Sequence, residues 1–287
     1  MNTVSIAEAT LEATRILRRA GVPESRREAA SLLAHVLGRD RTFLITHAEE
    51  EVSAQNIAAF RSVVERRAGG EPLQYITGRT EFFKLDFEVT PAVLIPRPET
   101  ELLVETALDL LQGTDTPLVC DVGTGSGCII ISILHEREKA RGLGLDISGE
   151  ALEVARLNAS RHRVEERLSL ILSDCFDALE RPDAPFDMIV SNPPYVAEAA
   201  LEGLQREVRD FEPRVALSPG GDGLSIIRRL VSEAPTLLRT GGYLLIEIGF
   251  DQHEAVGRLI DSQTWELLDI HLDLQGIPRT VALKKRN

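Results

Sequence analysis

From Leu118 onward the chain alternates short apolar runs with stretches of helical periodicity, and that alternation limits the folds open to it. The runs are Leu118 to Val122, Gly142 to Leu145, Leu168 to Leu172, Met188 to Val190, Tyr243 to Ile248, Leu267 to Leu272 and Thr280 to Leu283. Parallel strands need long crossovers, usually helical. Seven candidate strands with helices interleaved through at least the first five therefore predict an α/β domain with a mostly parallel sheet covered on both faces. Pro96-Arg97-Pro98 stops an extended segment, and Glu99 to Leu111 resumes a helical pattern with proline near the first turn and acids where the helix dipole favours them. The α/β domain is accordingly expected over 96–287.

The first 70 residues read differently. Ser5 with Glu8, and Ser25 with Glu28, have capping-box spacing. Leu32, Leu33, Val36 and Leu37, then Ile57, Phe60, Val63 and Val64, recur at helical spacing. A small all-helical domain is expected over 1–70, ended by Gly69-Gly70. Leu73 to Val89 is rich in Tyr, Phe, Ile and Thr around Gly78-Arg79, which predicts a β-hairpin connector within 71–95.

A chain of 287 residues, 43% hydrophobic, is long enough for one large and one small core. Charged residues interrupt the first 20 positions, so no secretion signal is expected there, and the longest apolar stretch, Cys128 to Leu134, is far short of the roughly 20 residues of a membrane span. A cytoplasmic protein that needs no membrane is expected. Cys120, Cys128 and Cys175 are odd in number and lack CxxC spacing, which argues against a disulfide framework or a zinc site. The net charge of -13 divides into about +1 over residues 1–85 and -14 over the remainder, so a phosphate track is a poor partner for the larger part. No direct nucleic-acid partner is expected, and nothing calls for more than a monomer.

Val119-Cys-Asp-Val-Gly-Thr-Gly-Ser-Gly-Cys128 reads as a buried strand, a glycine turn and a helix start. Gly123, Gly125 and Gly127 let the backbone turn tightly and lie against a ligand, while the helix start offers free amides. The spacing differs by one residue from the dinucleotide fingerprint, so a nicotinamide enzyme stays open on this feature alone. Asp146 ends the next strand, 19 residues after Gly127, where an acid accepts ribose hydroxyls; the competing explanation is a helix N-cap. Asp174 would accept the adenine amino group, with Cys175 or Phe176 against the ring, unless it is an ordinary turn residue. Asp121 would orient the glycine loop or reach the amino group of a cofactor's amino-acid part.

Asn192-Pro-Pro-Tyr195 follows the fourth strand, at the carboxyl end where open α/β sheets bind ligands. Two prolines fix the backbone, remove two amide donors and leave carbonyls as acceptors. A planar NH2 is a poor nucleophile. Held by the Asn192 side-chain oxygen and the Pro193 carbonyl, its lone pair can be directed at a methyl donor, with Tyr195 stacked on the acceptor. The bland alternative is a rigid turn. The pairing with the glycine loop favours S-adenosylmethionine as cofactor and needs no metal.

Together, Asp121 to Gly127, Asp146 and Asn192 to Tyr195 resemble the class I methyltransferases that act on planar nitrogen. Glu71-Pro-Leu-Gln-Tyr-Ile-Thr-Gly78, Ile95-Pro-Arg-Pro-Glu-Thr-Glu101, Gly220-Gly-Asp-Gly-Leu224 and Gly241 to Gly249 are similar to segments of the HemK/PrmC family, the glutamine N5-methyltransferases of peptide chain release factors. The resemblance implies a seven-stranded Rossmann-like domain after a helical, substrate-recognising one. It also implies a class 1 release factor's Gly-Gly-Gln loop as substrate and S-adenosyl-L-methionine as methyl donor. Carried over, cofactor contacts fall on Gly123, Thr124, Gly125, Gly127 and Asp146, with Asp121, Asp174, Cys175, Phe176 and Asn192 beside them. Acceptor contacts fall on Asn192, Pro193, Pro194 and Tyr195, of which Asn192, Pro193 and Tyr195 would be catalytic. Cys175 stands where some members carry a bulky aromatic, and Glu99 would also face the cofactor. A ribosomal-protein glutamine methyltransferase and an adenine-N6 DNA methyltransferase share the tetrapeptide; the charge of the larger part opposes the second. A non-enzymatic nucleotide-binding module would leave the tetrapeptide unexplained.

Overall fold

The computed structural model describes residues 4–179 and 185–287 and separates into two compact units, one running to Arg79 and including Arg206–Phe211, the other Thr80–Gln205 with Glu212–Asn287. In the first, β1 (Val4–Ser5) leads into α1 (Ile6–Arg19), and the capping box forms: the Ser5 amide donates to Glu8 Oε2 at 2.9 Å and the Glu8 amide to Ser5 Oγ at 3.2 Å. α2 (Ser25–Leu37), α3 (Arg41–Thr46), β2 (Glu51–Val52), paired with β1, and α4 (Ala54–Ala68) follow. Leu17, Leu32, Leu33, Phe60 and Val64 are buried together between α1, α2 and α4.

The second expected capping box does not form. Ser25 Oγ donates back to the Val22 carbonyl at 2.5 Å, and the Glu28 carboxylate is taken by Arg67. Arg67, 3% exposed, also donates to Glu207 Oε1 at 2.7 Å, which ties the distant 206–211 segment, α9 (Arg206–Phe211), to this unit.

The stretch read as one hairpin also needs correction. Leu73–Thr77 is a short helix, α5, closed by Gly78 at φ 74°, so Gly78-Arg79 is a helix end and not the hairpin turn. The hairpin is β3 (Arg79–Phe82) and β4 (Leu85–Glu88), turned by Phe83 and Lys84 at φ 50° and 61°. Two consecutive positive φ values are what a two-residue hairpin turn requires, and the absence of Gly or Asn there hid it.

In the second unit α6 (Glu101–Leu110) precedes a seven-stranded sheet of β5 (Leu118–Val122), β6 (Arg141–Asp146), β7 (Leu168–Leu172), β8 (Phe186–Ser191), β9 (Leu238–Glu247), β10 (Trp265–Leu272) and β11 (Pro278–Lys285). Their order is β10-β11-β9-β8-β5-β6-β7, with β11 antiparallel to both neighbours and the other pairings parallel. All seven expected strands form, with edges moved by a few residues. Side chains alternate between faces. Val119, Met188 and Val190 pack with α6 and α7 (Cys128–Glu136), whereas Cys120, Ile189 and Leu244 pack under α10 (Ser225–Glu233) and Trp265. α7 is apolar on every side because it is enclosed on every side. Among the described residues no helix is long and apolar enough to cross a membrane.

Parallel register aligns the strand ends: Asp121 sits opposite Gly144 on one side and Val190 on the other. The chain leaves β5 for β6 on one side and returns as β8 on the other, so the loops after β5 and β8 diverge and open a crevice between them.

Replacing Arg67 by Ala leaves the Glu28 carboxylate nearly buried and without its cation, which costs about 3 to 5 kcal/mol. Urea unfolding followed by circular dichroism is expected to show that loss; a shift below about 1 kcal/mol would mean the pair contributes no more than a surface contact.

Candidate active site

The crevice is a cavity of about 370 Å³ lined from four strand ends. From the β5–α7 turn come Gly123, Thr124, Gly125 and Ser126; from β6, Asp146; after β7, Ser173, Asp174 and Cys175; after β8, Asn192, Pro193 and Pro194. Three glycines make the turn possible, with φ 74° at Gly123, 55° at Gly125 and 81° at Gly127. A Cβ at Gly123 would point into open space, so that backbone is bare toward the cavity. A Cβ at Gly127 would meet Ile131 Cδ1 at 2.7 Å, so this third glycine serves helix packing and does not line the cavity.

The turn is pinned by the neighbouring strand. The Gly123 and Thr124 amides donate to the Leu145 carbonyl at 2.8 and 2.9 Å, and the Gly125 amide donates to Asp146 Oδ2 at 2.8 Å. Asp146 Oδ1 accepts from the Ser148 amide at 2.9 Å, while the N-cap of α8 (Gly149–Arg161) is Ser148 itself. Each carboxylate oxygen thus takes one of these amides, and the Ile147 amide joins them in favouring the charged form. Asp121 is fully buried behind the turn, where Oδ2 accepts from Thr124 Oγ1 at 2.8 Å and Oδ1 has no partner among the described residues. Asp174 lines the cavity with its carboxylate held by Arg229 Nη1 at 2.9 Å.

Asn192 donates through Nδ2 to Thr100 Oγ1 at 3.1 Å, which fixes the carboxamide and leaves Oδ1 as its free acceptor. Tyr195 departs from the stacking role expected of it. Its ring packs on the core cluster outside the cavity lining, and its hydroxyl donates to Glu247 Oε1 at 3.3 Å. Its carbonyl accepts from Gln252 Nε2 at 2.8 Å, and a Cβ at Gly223 would stand 2.3 Å from that oxygen, which is why the Gly220 to Gly223 turn must be bare there. Tyr195 anchors the tetrapeptide. Phe176 also departs: it is buried in the core cluster and is not a lining residue, whereas Cys175, at φ 46°, is.

The sequence reading missed the segment before α6. Ala92, Val93, Leu94, Pro96, Arg97 and Thr100 form one wall, held by the buried Glu212, which receives Arg97 and the Ile95 amide. Glu99 is not a lining residue. A signal existed in Pro96-Arg97-Pro98-Glu99-Thr100, a stiff run with polar groups, though it marked only a helix start. Glu247 left one too, a carboxylate closing the apolar strand Leu244-Leu-Ile-Glu247.

Comparison with known proteins agrees with this geometry. Residues 8–78 match the PrmC N-terminal domain model and residues 98–255 the methyltransferase small domain model. A release factor glutamine methyltransferase of Koribacter versatilis is 42% identical over 282 residues, covering 98% of this chain and 99% of its own. One from Burkholderia pseudomallei is 44% identical over 283 residues, covering 97% of each chain. The chain belongs to the release factor glutamine methyltransferase family. A solved T. thermophilus 16S rRNA N2 G1207 methyltransferase, in complex with AdoMet and guanosine, shares the fold at 18% identity, with TM-score 0.50 over 73% of this chain and 50% of that one.

Burial dominates the electrostatics of the site. Burial pushes the Cys128 thiol up to about 12 and the Cys175 thiol up to about 11, so both stay protonated. Burial raises Asp121 to about 7, against the Thr124 hydrogen bond and with help from Asp146, and raises Glu247 to about 7. Burial also raises Asp146, opposed by the amides of Ser148 and Gly125.

For Asp121 the folded value lies above the ordinary 3.8, so between pH 4 and 7, roughly, the folded protein keeps a proton that the unfolded chain has lost. Its contribution to stability is greatest at the acid end and declines as pH rises through about 7. Asp121→Asn removes that titration. Thermal melts across this range are expected to fall less steeply for the variant, with a higher melting temperature than wild type above neutrality; an unchanged slope would contradict the assignment.

Proposed function

We propose that the enzyme transfers a methyl group from S-adenosyl-L-methionine to the side-chain amide nitrogen of the glutamine in the Gly-Gly-Gln loop of class 1 release factors. The observation that carries the reading is the fixed Asn192 carboxamide, whose acceptor end is free beside two prolines and across the cavity from the glycine turn. Asp146 would accept the ribose hydroxyls, Asp174 the adenine amino group, and the bare backbone of Gly123 and Gly125 would lie along the cofactor. Asp121, outside the cavity lining, would act by holding Thr124 of the glycine turn, while its Oδ1 has no partner among the described residues. Bound in the cavity, the cofactor supplies a sulfonium-activated methyl group, so the protein's work is orientation.

Asn192 Oδ1 and the Pro193 carbonyl would each accept one N–H of the planar amide. Both are acceptors, so they favour an NH2 over a carbonyl or hydroxyl at that point and direct the nitrogen lone pair out of the amide plane. The nitrogen gains a methyl and releases one proton to solvent. Because release factors act in the cytoplasm, the reading places the enzyme there.

The helical unit is the proposed grip on the protein substrate. It carries a groove lined by the exposed Leu11 and Ile45, at 51% and 78%, and by Arg18, Arg26, Arg27 and Arg41, with Glu24 beside Arg27 as the one acid in the lining among the described residues. Ile45→Asp is expected to raise KM for the release factor at least about 10-fold while cofactor affinity stays unchanged; equal loss of both would remove the groove from the proposal.

Labelled cofactor incubated with release factor, its Gln→Ala version, a ribosomal protein and DNA should deliver label to intact release factor alone. Asn192→Ala should lower kcat by about 100- to 1,000-fold, the usual effect of deleting one oriented hydrogen-bonding group. Label on ribosomal protein or DNA instead would overturn the substrate, and an undiminished Asn192→Ala rate would overturn the mechanism.

A further inference from the structure

An asparagine carboxamide has two ends of nearly equal size and opposite hydrogen-bonding sense. Rotated by half a turn, Asn192 would present NH2 to an acceptor NH2, donor against donor, and the proposed site would repel its substrate. Something must choose the end. Thr100 Oγ1 is the atom that meets Nδ2, but a hydroxyl donates or accepts with equal ease, so Thr100 alone cannot choose.

The choice is made one group further back. Glu247, 1% exposed at the end of β9, stands behind Thr100, whose hydroxyl is the neighbour that most favours its charged form, ahead of Arg279 and Tyr195; Glu99 opposes them. Burial raises this carboxyl to about 7; above that value it is ionised and only accepts. Tyr195 donates to Oε1, while Oε2 is buried with no further donor placed on it. By directing its proton toward that neighbouring ionised carboxylate, Thr100 would turn toward Asn192 the lone pair that meets Nδ2, and a lone pair admits only the NH2 end.

We infer that Thr100 and Glu247 are positioning residues that set the polarity of the Asn192 carboxamide and so make the site select an amide NH2. This rests on the amide-methylation reading above. Neither acts on the acceptor directly; both act through Asn192. Through Tyr195, the same carboxylate also anchors the far end of the tetrapeptide, so one buried acid controls both ends of Asn192-Pro-Pro-Tyr195.

Thr100→Val keeps shape and removes the hydroxyl, whereas Thr100→Ser keeps the hydroxyl. Methylation of release factor by the full-length enzyme is expected to lose about 10- to 100-fold in kcat for the valine variant, with cofactor affinity and KM for the protein within about 3-fold of wild type. The serine variant should return to within about 3-fold of the wild-type kcat. Glu247→Gln, which offers a donor where the carboxylate only accepts, should lose at least about 10-fold, and the Thr100→Val/Glu247→Gln double variant should be no slower than the worse single one, because the two act as one chain. If the valine variant loses cofactor binding, Thr100→Ala is judged by the same limits. A valine or alanine variant within about 3-fold of wild type in kcat, or losses that multiply in the double variant, would overturn the inference. Asn192→Ala separates the two levels: if it is inactive while Thr100→Val is fully active, the polarity device fails and the reading stands; if it is fully active, the reading itself falls.

Discussion

The site depends on one carboxylate that receives two backbone amides. Asp146 takes the Gly125 amide through one oxygen and the Ser148 amide through the other, joining the glycine turn after β5 to the entry of α8 after β6. Three glycines at positive φ have no side chains with which to hold themselves, and without that anchor the turn would have many conformations to choose from. The Leu145 carbonyl, accepting from Gly123 and Thr124, closes the same joint from the strand side. Backbone hydrogen bonds thus shape the cradle.

The opposite wall is built by a different device. Proline rings at 193 and 194 limit the backbone, and Tyr195 is tied at its hydroxyl by Glu247 and at its carbonyl by Gln252. Gln252 is itself held by the Gly249 amide at 2.9 Å, so the end of β9 and the turn after it brace the loop after β8. Parallel pairing of β8 with β9 brings these two ends side by side, and a bare Gly223 admits the Tyr195 carbonyl. Sheet order thereby becomes site geometry, with each loop supported by the end of an adjoining strand.

Much of this was legible from residues. Apolar runs marked all seven strands, the central ones because strands buried on both faces are apolar throughout, although β7 and β10 leave much of theirs exposed, and glycine spacing marked the turn whose backbone faces the cavity. Asp146 and Asn192 stood out in the sequence as polar residues closing apolar strands, and the structure brings both to the cavity lining. Reading failed where a residue's task is set by something distant in sequence. Glu28 has capping-box spacing from Ser25, yet Arg67 takes it, 39 positions away. Tyr195 has the ring of a stacking residue, but its hydroxyl finds Glu247, 52 positions on. Phe176 follows Cys175, and the positive φ of Cys175 turns the chain so that the small thiol lines the cavity and the ring enters the core. The hairpin turn was missed because Phe83 and Lys84 adopt positive φ without the residues that usually announce it.

The residues that escaped reading share a physical property: they violate local rules, and the surroundings bear the cost. Asp121 and Glu247 are carboxyls with almost no access to water, both raised to about 7 by burial, and each keeps one oxygen without a partner among the described residues. Nothing in the core requires either. An apolar residue of similar volume would remove the desolvation penalty, which amounts to several kcal/mol for an unpaired buried charge. Such groups persist where the unmade hydrogen bond has a use. Asp121 is bonded to Thr124 of the glycine turn and Glu247 to Tyr195 of the tetrapeptide, so each of these acids holds a loop that lines the cavity. Each therefore keeps an acceptor that the described fold leaves unused. The fold is held a little above its lowest energy at the places where orientation must be decided.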